Sequence, residues 1–162
     1  MELDLNHLKT LSFTVLKGIA LYAAANALTA GFTLECRHTI RKRAGGVSEL
    51  SGNPYLPIEA SHINHSRKNH FYGKPYNGIA LTPFEHLIYH EQFIENPFAI
   101  GLNDAQNDMA IRRLQHTCRE LNKQRGIPKM TYEQRQVIAD QLIVLVTNIC
   151  SDNGMVCPYD QL

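Results

Sequence analysis

A switch from strand to helix is written into residues 77–90, Asn-Gly-Ile-Ala-Leu-Thr-Pro-Phe-Glu-His-Leu-Ile-Tyr-His, and it limits the folds open to this chain. Gly78 to Leu81 is a brief apolar run followed at once by helix-starting chemistry. Thr82 is placed as N-cap, Pro83 at the first helical position and Glu85 where a capping box needs it. On the helix that follows, His86 and His90 stand one turn apart, so both imidazoles share a face within reach of one cation. Five of the eight histidines fall between His62 and His90. The clustering points to a metal-assisted reaction centre, with His62, at the end of a strand-like run, placed to supply a base.

The rest of the chain supplies helices around this unit. Asn6 to Leu34 carries apolar residues at helical spacing and reads as one long helix. Its Leu11 to Phe32 stretch is interrupted by Lys17 and Asn26 and follows no basic segment, so it reads as a packed helix and not as a membrane span. A helix with so little polar surface calls for a dimer mate or a protein partner. Arg37 to Arg43 extends that helix or begins a connector, and Ala44-Gly-Gly46 ends it. Val47 to Ile63 reads as a β-hairpin turning at Ser51-Gly-Asn-Pro54, with its second strand near Leu56 to His62. Residues 64–76 read as a loop beside the site, in which His65 and His70 are expected to face solvent. The helix of His86 and His90, with Phe84, Tyr89 and Phe93 in its core, stops before Asn96-Pro97. Asn103 to Gln124 and Thr131 to Cys150 then predict a helical hairpin across Gly126-Ile-Pro128.

With 162 residues the expectation is a single domain: a helical segment 1–44, a core 45–95 and C-terminal helices 96–162. The formal charge is only +1, yet seven Lys or Arg face two acids between Cys36 and Pro75. A phosphate-bearing partner is favoured at that end. Cys36, Cys118, Cys150 and Cys157 form no Cys-x-x-Cys pair and read as apolar packing in a reducing, cytoplasmic compartment.

Ser61-His62-Ile63, Asn77 and His86-x-x-x-His90 resemble the HNH, or His-Me finger, endonucleases with their ββα-metal motif, and the offsets are similar to those of the nuclease colicins. The resemblance covers roughly residues 45–95. It implies an α+β fold, with a ββα-metal core between a long N-terminal helix and a C-terminal helical hairpin. It also implies cleavage of DNA, double-stranded in the first instance, with one divalent cation (Mg²⁺, Mn²⁺, Ni²⁺ or Zn²⁺). His62 is similar to the general base, and Asn77 to the residue that fixes the loop and orients the base. His86 and His90 look like the metal ligands. Ser61 stands where the family carries a further ligand, usually Asp or His, so His65 or Glu59 is the alternative donor. Ser48 stands where many relatives carry a zinc-binding cysteine, so no second, structural zinc is expected.

The chemistry suits these residue types. Phosphodiester hydrolysis needs a proton acceptor near neutrality, relief of charge on the phosphate and a stabilised leaving oxygen. Arg41, Lys42, Arg43, Arg67 and Lys68 are expected to position the DNA backbone, whereas Arg112, Arg113, Arg119, Lys123 and Arg125 read as a solvated helix face. Two rival readings carry the same histidines: a binding module that kept the scaffold without turnover, and a structural zinc protein that unfolds in a chelator.

Overall fold

The computed structural model describes residues 31–92 and 103–161. In chain order these form α1 (Leu34–Arg43), β1 (Glu59–His62), β2 (Gly78–Leu81), α2 (Pro83–Glu91), α3 (Asp104–Arg125) and α4 (Tyr132–Asn153), with 3₁₀ turns at Pro75–Asn77 and Pro158–Gln161. Helices around a two-stranded antiparallel sheet make the described part an α+β arrangement. Among the described residues no helix is long and apolar enough to cross a membrane. Nearly all of the expected Asn6–Leu34 helix, and with it the expected dimer or partner surface, lies outside the described residues, as do Phe93 and Asn96-Pro97. At its described end that expectation is corrected, because Gly31 takes φ 65° and Thr33 is extended. The Thr33 hydroxyl accepts from Cys36 N at 3.1 Å, so α1 starts afresh at Leu34 with its own cap.

The sheet register sets the two faces. Glu59 pairs with Leu81, Ala60 with Ala80, Ser61 with Ile79 and His62 with Gly78. Alternation therefore turns Glu59, Ser61, Ile79 and Leu81 one way and Ala60, His62, Gly78 and Ala80 the other. Apart from His62 the second face is built of small residues, which lets α1 lie close, with Phe32, Cys36 and Ile40 buried against Ala80 and Ala60. A β-carbon at Gly78 would collide with the Ile40 and Phe32 side chains. On the first face, Ile79 and Leu81 pack with Ile88 and Tyr89 of α2 and with Ala139, Leu142, Val146 and Cys150 of α4.

The expected hairpin within 47–63 does not form. β1 pairs with β2 across the 63–77 loop, and residues 47–58 run as turns and bends. Glu49 still closes the free edge of β2: its N–H donates to Ala80 O (2.9 Å) and its carboxylate accepts from Ala80 N (2.8 Å). A side chain thus does what a first strand was expected to do. Arg43, at the end of α1, fixes that carboxylate with two bonds of 2.8 and 2.7 Å and also donates to Pro75 O and Gly78 O.

A second correction concerns the C-terminal helices. α3 and α4 form close to the expected ranges, capped by Asn103 and Thr131, each in a capping box, but they do not pair as a hairpin. Each packs instead on α2: Ile111, Leu114, Cys118 and Leu121 of α3 meet Phe84 and Leu87, while α4 meets Ile88 and Tyr89. Enclosed by sheet, α3 and α4, α2 is buried at Pro83, Phe84, Glu85, Leu87, Ile88, Tyr89 and His90. Its start is held as the sequence predicts, by the Thr82–Glu85 capping box, and the Ser48 hydroxyl adds a bond to the same Glu85 carboxylate.

Candidate metal centre and base

The buried start of α2 fixes where its two histidines point. His86 Nε2 and His90 Nε2 face each other at 3.2 Å. Two imidazole nitrogens bound to one tetrahedral cation at about 2.0–2.1 Å lie roughly 3.3 Å apart, so the pair fits a divalent ion. Among the described residues no third His, Cys, Asp or Glu joins them in a ready set of ligands. Ser61 sits on the sheet face that looks toward α2, yet it is 1% exposed and its hydroxyl donates to the His62 carbonyl at 3.4 Å. Glu59, two residues earlier on the same face, reaches His86 Nδ1 at 2.8 Å.

His62 lies on the opposite face of β1, stacked between two rings. Phe32 lies parallel at 3.6 Å and Tyr72 at 4.5 Å, and His62 Nε2 is buried without a hydrogen-bond partner. Gly31 makes the Tyr72 position possible, since a β-carbon there would run into the Tyr72 ring. His65, expected in solvent, is instead buried, with its ring 5.4 Å from His62 and 5.2 Å from His90. It joins the base and the Nε2 pair into one row of imidazoles. His70 is exposed, as expected.

Burial dominates the electrostatics. It pushes His62 down to about 3, with the charges of His86, Arg37 and Arg67 adding to the effect. Burial also takes His90 down to about 3, aided by His86 and opposed by the Asn107 side chain, and it holds His65 well below the usual imidazole range. All three rings are neutral near neutral pH, the state a ligand or a proton acceptor requires. Burial alone would raise Glu59, but the His86 hydrogen bond and charge, with Arg113 and Arg41, hold its carboxyl below its ordinary value.

Asn77 is fully buried. Its Oδ1 accepts from Asn64 N (2.9 Å) and its Nδ2 donates to Asn64 O (2.9 Å) and Tyr72 O (3.1 Å), so it ties the two ends of the loop together. These bonds give Asn77 the hold on the loop that the resemblance implies. Of the expected backbone-binding residues, Arg41, Lys42, Arg67 and Lys68 are exposed. Arg43 is exposed as well, with its guanidinium engaged by the Glu49 carboxylate, Pro75 O and Gly78 O.

Several site residues were not among those picked from the sequence: Phe32, Tyr72, Asn107, Arg37 and, as a neighbour of Glu59, Arg113. Only Asn107 left a signal, as a polar residue in the otherwise apolar stripe of Ile111, Leu114, Cys118 and Leu121. Compared with profiles of protein families, with curated proteins and with solved structures, the chain matches none of them.

Proposed function

We propose that this chain is a metal-dependent endonuclease of the HNH type, with β1, β2 and α2 as a ββα-metal core and DNA as its substrate. The observation that carries the reading is the 3.2 Å approach of two helix imidazoles, with the His65 ring between them and a strand-ending histidine whose buried Nε2 has no hydrogen-bond partner. His86 and His90 would hold a divalent cation, which would supply Lewis-acid relief of charge on the phosphate. His62 takes the proton of the attacking water at Nε2. His65 excludes solvent between that base and the ligand pair, while Asn77 keeps the loop bearing Tyr72 in place. Arg41, Lys42, Arg67 and Lys68 hold the DNA backbone without reading bases.

One step precedes the chemistry. Water reaches the buried His62 Nε2 only when its surroundings open, and the same opening returns base strength to an imidazole that burial weakens. This burial, with Ser61 where a stronger ligand is expected, favours the second reading: a nucleic-acid or protein-binding module on the same scaffold that no longer turns over.

Cleavage of supercoiled plasmid separates the two. Wild type, His62→Ala and His90→Ala are compared in Mg²⁺, Mn²⁺, Ni²⁺ or Zn²⁺ and in a chelator. Nicking or linearisation by wild type that both variants and the chelator abolish is the expected result. Folded wild-type protein that cuts in none of the cations overturns the enzyme reading and leaves the binding module.

A further inference from the structure

Each imidazole can offer a cation only one of its nitrogens, and the partner of the other nitrogen decides which. For His86 that partner is Glu59 Oε2, 2.8 Å from Nδ1. A carboxylate only accepts, so a proton belongs on Nδ1, and in the neutral ring that a cation requires the Nε2 lone pair faces His90. The side chains of the pair are 14% and 25% exposed, which keeps water from replacing either partner freely.

For His90 the matching group comes from α3. His90 Nδ1 and Asn107 Oδ1 are both buried, and neither meets another polar atom at hydrogen-bonding distance. Asn107 is 4% exposed and is the one polar residue in the buried stripe of α3. A buried carbonyl oxygen left unpaired costs roughly 1–3 kcal/mol, so its presence there asks for a partner. α3 packs along α2, which puts these two orphaned atoms on facing helices. With both protons on Nδ1, two lone pairs point at each other across 3.2 Å, an arrangement that repels unless a cation stands between them.

We infer that Glu59 and Asn107 are positioning residues that hold the ring protons of His86 and His90 on Nδ1 and so present both Nε2 atoms to one divalent cation. The inference rests on the metal reading above. It assigns Glu59 a place behind the ligand, not in the coordination sphere, and gives α3 a part in the site.

The test is zinc affinity measured by competition with a chromogenic chelator, with folding followed by circular dichroism. Removing such an outer partner weakens metal binding by roughly 10–100-fold, the loss expected for Glu59→Leu and for Asn107→Leu. Glu59→Gln and Asn107→Asp keep an acceptor at each place and should fall between their Leu counterparts and wild type. Nitrogen-15 spectra of the zinc-loaded wild type should show a protonated Nδ1 on both His86 and His90. That readout also serves where a Leu variant fails to fold. Leu variants that bind zinc within about twofold of wild type, or ligation through Nδ1, would overturn the positioning roles while the metal site stands. A folded wild type with no affinity for zinc, nickel or manganese overturns both.

Discussion

Arg43→Ala should lower the stability of the fold by about 3 kcal/mol and leave the protein's affinity for DNA, once folded, close to that of wild type. The magnitude follows from what the guanidinium holds. It donates to Pro75 O at 2.9 Å and to Gly78 O at 2.7 Å, tying the end of α1 to both sides of the turn into β2. Hydrogen bonds from a charged donor contribute roughly 1.5–3 kcal/mol each, and with the Arg43 side chain 39% exposed the low end applies. The bidentate pair with Glu49, half open to water, adds no more than about 1 kcal/mol. Glu49 keeps its bonds to Ala80 when Arg43 is gone, so the β2 edge stays closed and the loss does not spread. Urea denaturation gives the free energy directly, and heating should show a midpoint lower by roughly 6–12 °C for a chain of this size. Arg43→Lys should recover less than half, since an ammonium cannot make the paired bonds to Glu49 and reach two carbonyls as well. Arg41→Ala and Lys42→Ala, on the same helix but exposed, should change stability by under about 0.5 kcal/mol and weaken DNA binding. Arg43→Ala unfolding at the wild-type midpoint, with DNA binding reduced as in Arg41→Ala, would refute the clamp and return Arg43 to the nucleic-acid surface.

Zinc at about 100 times its dissociation constant should stabilise the wild type by roughly 2.7 kcal/mol, and a thermal shift assay should show that gain lost in His86→Ala and His90→Ala. The metal-free protein should stay folded in a chelator, because α2 is held by its cap and by two apolar clusters; loss of helical signal on chelation would favour a structural zinc instead. Stability should also fall with acid. His62 and His90 sit near 3 in the folded protein against about 6.5 unfolded, so the unfolded chain binds more protons between those values, and their contribution is complete above pH 6.5 and lost as pH falls toward 3. Glu59, held below its ordinary value, adds to the loss at the acid end of that window. Urea midpoints from pH 7 to 4 check the direction, and a flat profile would contradict the buried neutral imidazoles. Burial holds Cys118 up at about 11 and Cys150 up at about 12, so at pH 8 both thiols should react with an aromatic disulfide reagent only as fast as the chain opens.

How much of this was legible in the sequence depends on the distance over which each feature is determined. The β2–α2 joint is local: Thr82, Pro83 and Glu85 act within one turn, and their cap forms as the spacing predicts. The caps at Asn103 and Thr131 are local in the same sense. Strand pairing is not. Val47 to Leu50 had a strand's composition, but the edge bond of Ala80 is satisfied by a Glu49 side chain that Arg43 holds from another element. Nothing within 47–63 encodes that. Loop length misled in the same way for α3 and α4, since a short connector suggests a hairpin and the apolar faces found α2 instead.

The site divides along the same line. His86 and His90 share a face because a helix repeats every 3.6 residues, and Glu59 and Ser61 share a face because a strand repeats every two. Both periods are readable, and Glu59 could have been aimed at α2 from them. His62, by the strand period, faces away from His86, and what covers it comes from Phe32 and from Tyr72 on a loop without any period. His65 belongs to that loop, so composition placed it in solvent while the Asn77 bonds to Asn64 fold it inward between His62 and His90. The residues that hold ligands were therefore visible one element at a time. What covers the candidate base depends on how Phe32, the end of β1 and the 63–77 loop close over one ring, and no single element's period encodes that.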